Sequence, residues 1–360
     1  MRMQRVAVVL FNLGGPDSPE AIQPFLENLF TDPAILRVPG FLRPWLGRFI
    51  ARRRTRAATE NYAILGGRSP LLDITERQAR ALEAALEGQE AAYRCFIAMR
   101  YWHPFAEAAA REVAAWRPDQ VLLLPLYPQY STTTTGSSVL DWQQAARQAG
   151  LDVPTTTLCC YHSHPGFVAA TAAPLRRTYE EARAKLPAGV TLRVLFSAHG
   201  LPESIVKAGD PYQWQVERSV AAVVEQLGIP GLDHGICYQS RVTPQKWIGP
   251  STEQALEQAA RDKVAVLVCP IAFVSEHSET LVELDVEYRE LAEKLHIPGY
   301  FRAPTQNDDP GFIAALRDLV LGAMGSGRAL ASFAGGRQCP KPCTDCPHAR
   351  TAQPARQVAA

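Results

Sequence analysis

The segment VAVLVCPIAF, residues 264–273, is an almost continuous run of apolar residues. Similar runs occur at three other places: VAVVLFN at 6–12, QVLLLPLY at 120–127 and LRVLFS at 192–197. Such a composition is typical of strands that are buried on both faces, as in a parallel sheet covered by helices. Segments of helical period lie between the runs, at 75–87, 212–227 and 251–261. The alternation therefore predicts an α/β architecture with parallel sheets flanked by helices.

The length of the chain, 360 residues, exceeds what one hydrophobic core usually serves. Strand-rich segments appear twice in a similar order, so we expect two Rossmann-like lobes facing each other across a cleft, residues 1–160 and 161–325. A cysteine-rich extension follows at 326–360. Ligands of open α/β sheets bind beyond the carboxyl ends of the strands, and the loops that follow the four apolar runs are therefore expected to converge.

Composition limits the classes of partner. Apolar residues make up 47% of the chain and charged residues 20%, as in soluble globular proteins. The net charge of +1 creates no long-range field for nucleic acid, so we expect no nucleic-acid partner. No apolar stretch approaches the roughly 20 residues that span a bilayer, and no secretion signal is recognisable, which predicts a cytoplasmic protein. Both a monomer and a homodimer are compatible with the sequence.

Two of the four loops offer backbone and hydroxyl groups. The loop after residue 12 contains Gly14 and Gly15, which allow a ligand to approach the backbone or simply end the strand. The loop after residue 127 reads PQYSTTTTGSS, residues 128–138. Its hydroxyl and N–H groups precede a helical segment, and they form either a cradle for a carboxylate or phosphate or a helix-capping loop.

The other two loops contain titratable side chains. His199 follows the third run, where an imidazole suits acid–base chemistry near neutral pH, although a structural histidine is the alternative. After the fourth run, an α-helix of about 100° per residue would align five carboxylates on one face: Glu276, Glu279, Glu283, Glu287 and Glu290. Such rows are usually solvated faces. Because like charges at this spacing repel, a route for a divalent metal ion is the functional interpretation.

Seven sequence blocks, taken together and in order, resemble those of the ferrochelatases. They are FNLGGPD (11–17), YAILGGRSPL (62–71), MRYWHPF (99–105), LYPQYSTTTTGSS (126–138), LFSAHGLPESIVKAGDPY (195–212), CYQSRVTPQKWIGP (237–250) and VCPIAFVSEHSETLVELDVEY (268–288). The resemblance implies the class II chelatase fold and an enzyme that inserts Fe2+ into protoporphyrin IX to form protoheme, the terminal step of haem biosynthesis. A cobalt-type chelatase of the same fold group matches less well, since SAHGLP and HSETLVELD favour iron.

By position, the resemblance also implies roles for individual residues. His199 and Glu279 are expected to face each other across the porphyrin plane, with His277 beside them. The resemblance implies a metal route formed by five residues: His199, Glu276, Glu279, Glu283 and Glu287. The porphyrin pocket is expected to be shaped by Leu13, Arg100, Tyr101, Ser131, Trp247 and Phe273. Leu13 stands where enzymes that metallate coproporphyrin commonly have tyrosine, which favours protoporphyrin IX as substrate.

Residues 38–54, VPGFLRPWLGRFIARRR, combine aromatic, aliphatic and basic side chains. A segment of this kind can lie on a membrane surface, where a lipophilic porphyrin would dissolve. The alternative is an ordinary amphipathic helix packed on the fold. We therefore expect a cytoplasmic enzyme for which peripheral contact with the inner membrane is one of two interpretations.

The tail contains Cys339, Cys343 and Cys346 in a C-x3-C-x2-C array. Thiolates this close suit an iron–sulfur cluster or a structural zinc ion and need one more ligand. Many ferrochelatases hold a [2Fe-2S] cluster with three C-terminal cysteines and one distant cysteine, which the resemblance implies here. The distant ligand is expected to be either Cys159 or Cys160. Only one of them is expected to bind, because neighbouring side chains on an extended backbone point in opposite directions.

Two other functions are compatible with the same residues. One is a carrier or sensor that binds a porphyrin or haem without turnover. The other is a chelatase of the same fold that acts on coproporphyrin or another metal. A carrier needs neither a base nor an acidic metal route, so the presence of both His199 and Glu279 favours the enzyme.

Overall fold

The computed structural model describes residues 2–240 and 245–351. Residues 241–244 of the block at 237–250, and residues 352–360 of the expected tail, lie outside the described part. The strands are β1 (Arg5–Asn12), β2 (Ala92–Met99), β3 (Gln120–Pro125), β4 (Thr155–Leu158), β5 (Leu192–His199), β6 (His234–Gln239), β7 (Ala265–Pro270), β8 (Tyr300–Arg302) and β9 (Leu330–Ala331). They form two parallel sheets, in the orders β2-β1-β3-β4-β9 and β6-β5-β7-β8. The predicted α/β class is confirmed.

Helices cover both sheets. They are α1 (Ile22–Thr31), α2 (Arg43–Ile64), α3 (Leu71–Ala85), α4 (Ala106–Trp116), α5 (Thr135–Gln148), α6 (Pro165–Lys185), α7 (Glu203–Lys207), α8 (Tyr212–Leu227), α9 (Thr252–Asp262), α10 (Tyr288–Lys294), α11 (Pro310–Gly325) and α12 (Pro347–Thr351), with a 3-10 helix at Pro19–Ala21. Local sequence explains where several begin. Ser251 and Gln254, for example, form a capping box that satisfies the first N–H groups of α9.

The four apolar runs are strands β1, β3, β5 and β7, each of which has a neighbouring strand on both sides. Every residue of β7 is buried, because helices cover both faces of the sheet. The main hydrophobic cluster joins the two sheets, with Val8 and Leu122 from the first and Val194 and Leu267 from the second. A shared core of this kind fixes the carboxyl ends of both sheets relative to each other.

The helix after β7 differs from the expected α-helix. It is a π-helix over Glu279–Glu287, continued by α10. A π-helix bonds each residue to the fifth along the chain and is therefore wider than an α-helix, so the expected turn of about 100° per residue was wrong here. Glu276 precedes the helix, and the continuous five-carboxylate face is not formed.

The chain after α11 returns to the first sheet. Leu330 and Ala331 in β9 pair with Thr157 and Leu158 in β4. The tail then passes to the loop after α7, where the Asp345 N–H donates to the Gly209 carbonyl at 3.0 Å. Within the described ranges, no helix combines the length and the apolar character needed to cross a membrane.

Candidate active site

A cavity of about 240 Å³ lies where the carboxyl ends of the two sheets meet. All four expected loops contribute to its lining. The first lobe contributes mainly apolar side chains, among them Leu13, Leu29, Phe30, Ile35 and Ile50. The second lobe contributes His199, Tyr212, Trp247, Phe273, His277 and Glu279. The cavity therefore combines apolar walls with a small group of titratable side chains, which is typical of a binding site for a large apolar ligand.

His199 is the last residue of β5 and is held by its own loop. Its Nδ1 atom lies 2.6 Å from the Gly200 carbonyl oxygen, which can only accept a hydrogen bond. In the neutral ring the proton is therefore on Nδ1, and the lone pair is on Nε2. Nε2 lies 3.7 Å from Oε1 of Glu279. A base nitrogen and a carboxylate are thus directed at each other on the cavity wall.

Glu279 begins the π-helix and lies between two imidazoles. Its Oε2 is 3.6 Å from Nε2 of His277, whose Nδ1 is 3.0 Å from the Ser275 carbonyl. Burial alone would lower the pKa of His277, but the hydrogen bond and the charge of Glu279 raise it above the ordinary value. Burial would raise the pKa of Glu279, but His199 and then His277 lower it. The carboxylate is therefore kept ionised between the two imidazoles.

Glu283 lies one turn further along the π-helix. It accepts hydrogen bonds from the Gln239 side chain at 2.8 Å and the Ser240 N–H at 2.9 Å. Burial, followed by the charge of Glu279, raises the pKa of Glu283. Two neighbouring carboxylates therefore differ in proton affinity, with the outer one holding a proton more readily.

Not every expected site residue reaches the cavity. Among the described residues, Arg100, Tyr101 and Ser131 are not part of its lining. Arg100 forms an ion pair with Asp32 at 2.9 Å, and the Tyr101 hydroxyl donates to the same carboxylate at 2.8 Å. The Ser131 hydroxyl faces Asp210. These groups lie behind the wall and support it.

The two outer members of the expected acidic row are also engaged elsewhere. Glu276 forms an ion pair with Arg302 at 2.8 Å and accepts from the Thr305 N–H. Glu287 is exposed and accepts from the Asn61 side chain of α2 at 2.9 Å. Glu279, Glu283 and Glu287 thus follow the π-helix outward, whereas Glu276 points to a separate polar cluster.

Comparison with known proteins identifies the family of the chain. The family model described as ferrochelatase matches residues 5–324. The chain belongs to the ferrochelatase family. It is therefore an enzyme of the class that inserts iron into a porphyrin in haem biosynthesis, as the sequence blocks had indicated.

Relatives of the ferrochelatase family match nearly the whole chain. The ferrochelatase of Phenylobacterium zucineum (strain HLK1) is 53% identical over 322 residues, which cover 89% of this chain and 92% of the relative. The ferrochelatase of Caulobacter vibrioides (strain NA1000 / CB15N) is 50% identical over 348 residues, covering 96% and 97%. The solved structure of SirB from Bacillus subtilis with Fe3+ has a TM-score of 0.52 at 12% identity, covers 90% of this chain and 98% of that one, and shows the fold alone.

Two residues in contact with the candidate site of this ferrochelatase-family chain were missed by sequence reasoning. Tyr212 is buried, lines the cavity and donates its hydroxyl to the His199 carbonyl at 3.1 Å. Gln239 ends β6 and donates to both the Glu279 carbonyl and the Glu283 carboxylate. Both residues lie in sequence blocks that resemble the ferrochelatases: Tyr212 ends LFSAHGLPESIVKAGDPY, and Gln239 belongs to CYQSRVTPQKWIGP. The blocks marked these segments but gave no role for the two residues.

The five cysteines named for a cluster in this family come together at the join of the lobes. All are buried, and Cys159 and Cys160 bring their sulfur atoms within 3.4 Å of each other. The expectation of opposite directions was wrong, because β4 ends at Leu158 and the two cysteines lie beyond the extended strand. Gln215 donates to Cys339 at 3.1 Å and also to Cys160.

The tail cysteines interact among themselves. The hydrogen bond from Cys339, followed by the N–H groups of His348 and Ala349, lowers the pKa of Cys346 to about 6 against the effect of burial. A thiol that ionises near neutral pH is a good metal ligand. Within residues 2–240 and 245–351, no three His, Cys, Asp or Glu side chains form the arrangement expected around a single metal ion.

The first half of α2 and the preceding turn present apolar side chains to solvent. The exposed fractions are 82% for Phe41 and 69% for Trp45, and Trp45 stacks on Phe49 with ring centres 6.0 Å apart. Ile50, on the same helix, lines the cavity. The helix therefore packs on the fold through Gly47 and Ala51, and its exposed aromatic side chains lie close to a residue of the cavity wall.

Proposed function

We propose that the chain inserts Fe2+ into protoporphyrin IX in this cavity to form protoheme. One observation carries the proposal: His199, His277 and Glu279 converge on a cavity whose remaining walls are largely apolar. The walls suit a tetrapyrrole, and the three polar groups suit the part of the reaction that needs a base. Leu13, which lines the cavity, supports protoporphyrin over the more acidic coproporphyrin.

The reaction releases two pyrrole N–H protons as Fe2+ enters the ring. Neutral His199 has its lone pair on Nε2, because Nδ1–H is bound to the Gly200 carbonyl. Nε2 accepts a pyrrole proton, and the developing imidazolium is stabilised by Glu279 at 3.7 Å. His277 lies on the other side of Glu279, with its Nε2 atom 3.6 Å from the same carboxylate, and fixes the orientation of that carboxylate.

The protons then need a way out of an apolar cavity. Glu283 has a raised pKa and lies beyond Glu279, and the exposed Glu287 follows. We propose that Glu279, Glu283 and Glu287 form the route by which protons leave, and that the same hard oxygen atoms admit Fe2+ as substrate. Bending of the porphyrin draws on its contact with the apolar walls, including Phe273 and Trp247.

Metal insertion by wild type and His199→Ala tests the proposal. Each protein is incubated anaerobically with Fe2+ and either protoporphyrin or coproporphyrin, and the metallated product is followed by visible absorption. His199→Ala is expected to lose at least about a hundredfold in kcat, the usual contribution of a general base. His234→Ala is the matched control, since this exposed histidine also pairs Nδ1 with a carbonyl, at 3.0 Å, but lies far from the cavity.

The outcomes separate the candidate functions. Binding of protoporphyrin by wild type without metallation favours a carrier or sensor. Faster metallation of coproporphyrin contradicts the assigned substrate but not the reaction. Full activity of His199→Ala removes the assigned base.

We further propose that Cys339, Cys343, Cys346 and Cys160 hold a [2Fe-2S] cluster. The thiols fit this group in three respects: they are buried, one ionises readily, and the Gln215 amide donates to two of them. Cys160 is preferred to Cys159 because it shares the Gln215 amide with Cys339. A bound cluster would supply one-electron redox chemistry and tie the tail to both lobes.

Spectroscopy of cysteine variants tests the cluster proposal. Wild type is expected to show visible absorption bands and two iron and two sulfide per chain. Cys160→Ser is expected to lose the bands, and Cys159→Ser, its matched neighbour, to keep them. A colourless protein with one zinc ion per chain would establish the zinc alternative instead.

Finally, we propose that this cytoplasmic enzyme contacts a membrane surface through Phe41, Trp45 and Phe49, from which a lipophilic porphyrin reaches the cavity. Their exposure beside cavity-lining Ile50 supports the proposal. Phe41→Ser plus Trp45→Ser should abolish cosedimentation with anionic vesicles and leave turnover of detergent-dispersed porphyrin unchanged. Leu140→Ser, at an equally exposed position on α5, should alter neither. Unchanged cosedimentation of the double variant would refute the proposal.

A further inference from the structure

A buried carboxylate in the loop between α7 and α8 has no part in the chemistry proposed above. Asp210 is 3% exposed. Its Oδ2 accepts from the Thr132 N–H and hydroxyl, both at 2.7 Å, and from the Ser131 hydroxyl at 3.0 Å. Its Oδ1 accepts from the Tyr212 N–H at 3.0 Å. The hydroxyl loop that resembled an anion cradle in the sequence thus binds a carboxylate of the chain itself.

Three of these four hydrogen bonds connect the two lobes at the cavity wall, and the fourth binds Asp210 to Tyr212 within the second lobe. Ser131 and Thr132 belong to the first lobe, and the next two residues, Thr133 and Thr134, line the cavity. On the other side, Tyr212 lines the cavity and donates its hydroxyl to the carbonyl of His199. Asp210 therefore joins one wall of the cavity to the backbone of the proposed base.

We propose that Asp210 is a positioning residue for metal insertion: it holds the hydroxyl loop and, through Tyr212, the His199 backbone in the geometry that the reaction needs. The inference rests on the proposed function and extends it to a residue that does not touch the substrate. Asp210 acts on kcat, because the alignment of base and porphyrin matters most in the transition state.

Only a carboxylate satisfies this position. An ionised carboxylate has about four acceptor sites and no donor, which matches four donors. Asparagine has nearly the same shape but one acceptor oxygen, and its NH2 group would face an N–H or hydroxyl that has to donate. With its oxygen towards Ser131 and Thr132, the NH2 group would face the Tyr212 N–H, which would then lose its partner in a buried place and force the loop to shift.

The experiment compares Asp210→Asn, Tyr212→Phe and the double variant with wild type. Asp210→Asn is expected to reduce kcat for Fe2+ insertion by roughly 10- to 100-fold, the effect of a small misplacement of reacting groups. Tyr212→Phe is expected to reduce it by about 2- to 10-fold, the equivalent of one neutral hydrogen bond. The Kd for protoporphyrin, measured by fluorescence quenching, should change less than about threefold in both. The double variant should be no slower than Asp210→Asn, because both act through one connection.

Asp233→Asn is the matched control. Asp233 is also a carboxylate of the second lobe with two hydrogen bonds, to Arg193 at 2.9 and 3.0 Å, but it precedes β6 at the opposite end of the sheet. Its loss should lower Tm and leave kcat unchanged. A fall in kcat of equal size in Asp233→Asn would mean that Asp210→Asn acts through stability alone, and it would overturn the inference.

Two further results would also overturn the inference: a kcat of Asp210→Asn within twofold of wild type, or additive effects on kcat in the double variant. Should Asp210→Asn not fold, an unchanged kcat of Tyr212→Phe overturns the connection to His199. Failure of the proposed function gives a different result, because wild type itself would not metallate protoporphyrin. The inference about Asp210 would then also be refuted.

Discussion

Replacement of Glu279 by glutamine should lower the pKa of His277. In the wild-type structure, burial acts to lower this pKa, and the hydrogen bond and charge of Glu279 reverse the direction. Glutamine keeps the size of the side chain and one acceptor oxygen, and it removes the charge. Without the charge of Glu279, the effect of burial dominates and lowers the pKa of His277.

The size of the effect follows from the separation of the two groups. Opposite unit charges 3.6 Å apart attract by about 1 kcal/mol in water and about 4 to 5 kcal/mol at an effective dielectric constant near 20. Glu279 is about a quarter exposed, so the true value lies between these limits. At about 1.4 kcal/mol per pH unit, the His277 pKa should fall by about 1 to 3 pH units.

The sign of the stability effect follows from the same shift. Since the pKa of His277 is raised in the folded state, the protonated imidazole stabilises the wild type fully below its ordinary value of 6.5, and this contribution is lost as pH rises through the folded pKa. Glu279, whose pKa is lowered, stabilises above its ordinary value of 4.5. The stability advantage of wild type over Glu279→Gln should therefore be largest between about pH 4.5 and 6.5 and decrease above.

NMR titration of the histidine ring signals measures the change directly, with His277 assigned from a His277→Gln spectrum. Glu290→Gln is the control, because this exposed carboxylate follows the same helix and pairs with Lys294 instead. A His277 midpoint that is equal or higher in Glu279→Gln would refute the electrostatic account of the site.

Three further outcomes follow from individual contacts. Gly209→Ala should destabilise the fold by about 1 to 3 kcal/mol in urea unfolding and increase proteolysis of the tail. The reason is that φ of Gly209 is +112° and that a Cβ atom would lie 2.9 Å from the Thr344 nitrogen. Gly189→Ala, where φ is also positive but the Cβ atom would meet open space, separates the steric clash from the backbone strain. Glu283→Gln should gain stability relative to wild type as pH rises from 4 to 8, since the raised folded pKa makes wild-type stability fall above 4.5; equal urea midpoint differences at both pH values would contradict this. Ser251→Ala should cost about 1 kcal/mol by removing the capping box of α9, and an unchanged urea midpoint would contradict it.

The sequence predicted four of the inner strands and missed the other strands for a physical reason. The runs in β1, β3, β5 and β7 are largely apolar because helices cover both faces of each sheet. β2 and β6 lie at sheet edges, and the first half of β2 is only partly buried, so its apolar pattern is weaker. β9 has two residues, and its position depends on where the chain returns rather than on composition.

Much of the site was also visible in the sequence, since His199, His277, Glu279, Trp247 and Phe273 all line the cavity. What could not be predicted depends on helix type and on contacts between distant residues. The π-helix has no simple pattern in sequence and changes which carboxylates are neighbours. The ion pair of Glu276 with Arg302 becomes apparent only when β8 is placed beside β7.

The return of residues 330–331 to the first sheet has a consequence for biosynthesis. The ribosome synthesises β1 to β4 of that sheet well before β9. While the second lobe is being translated, β4 therefore has no strand to pair with on its outer side. A nascent chain in this state presents unpaired backbone groups that another chain can capture. Pairing of β9 with β4 closes that edge, and it follows the synthesis of the whole second lobe.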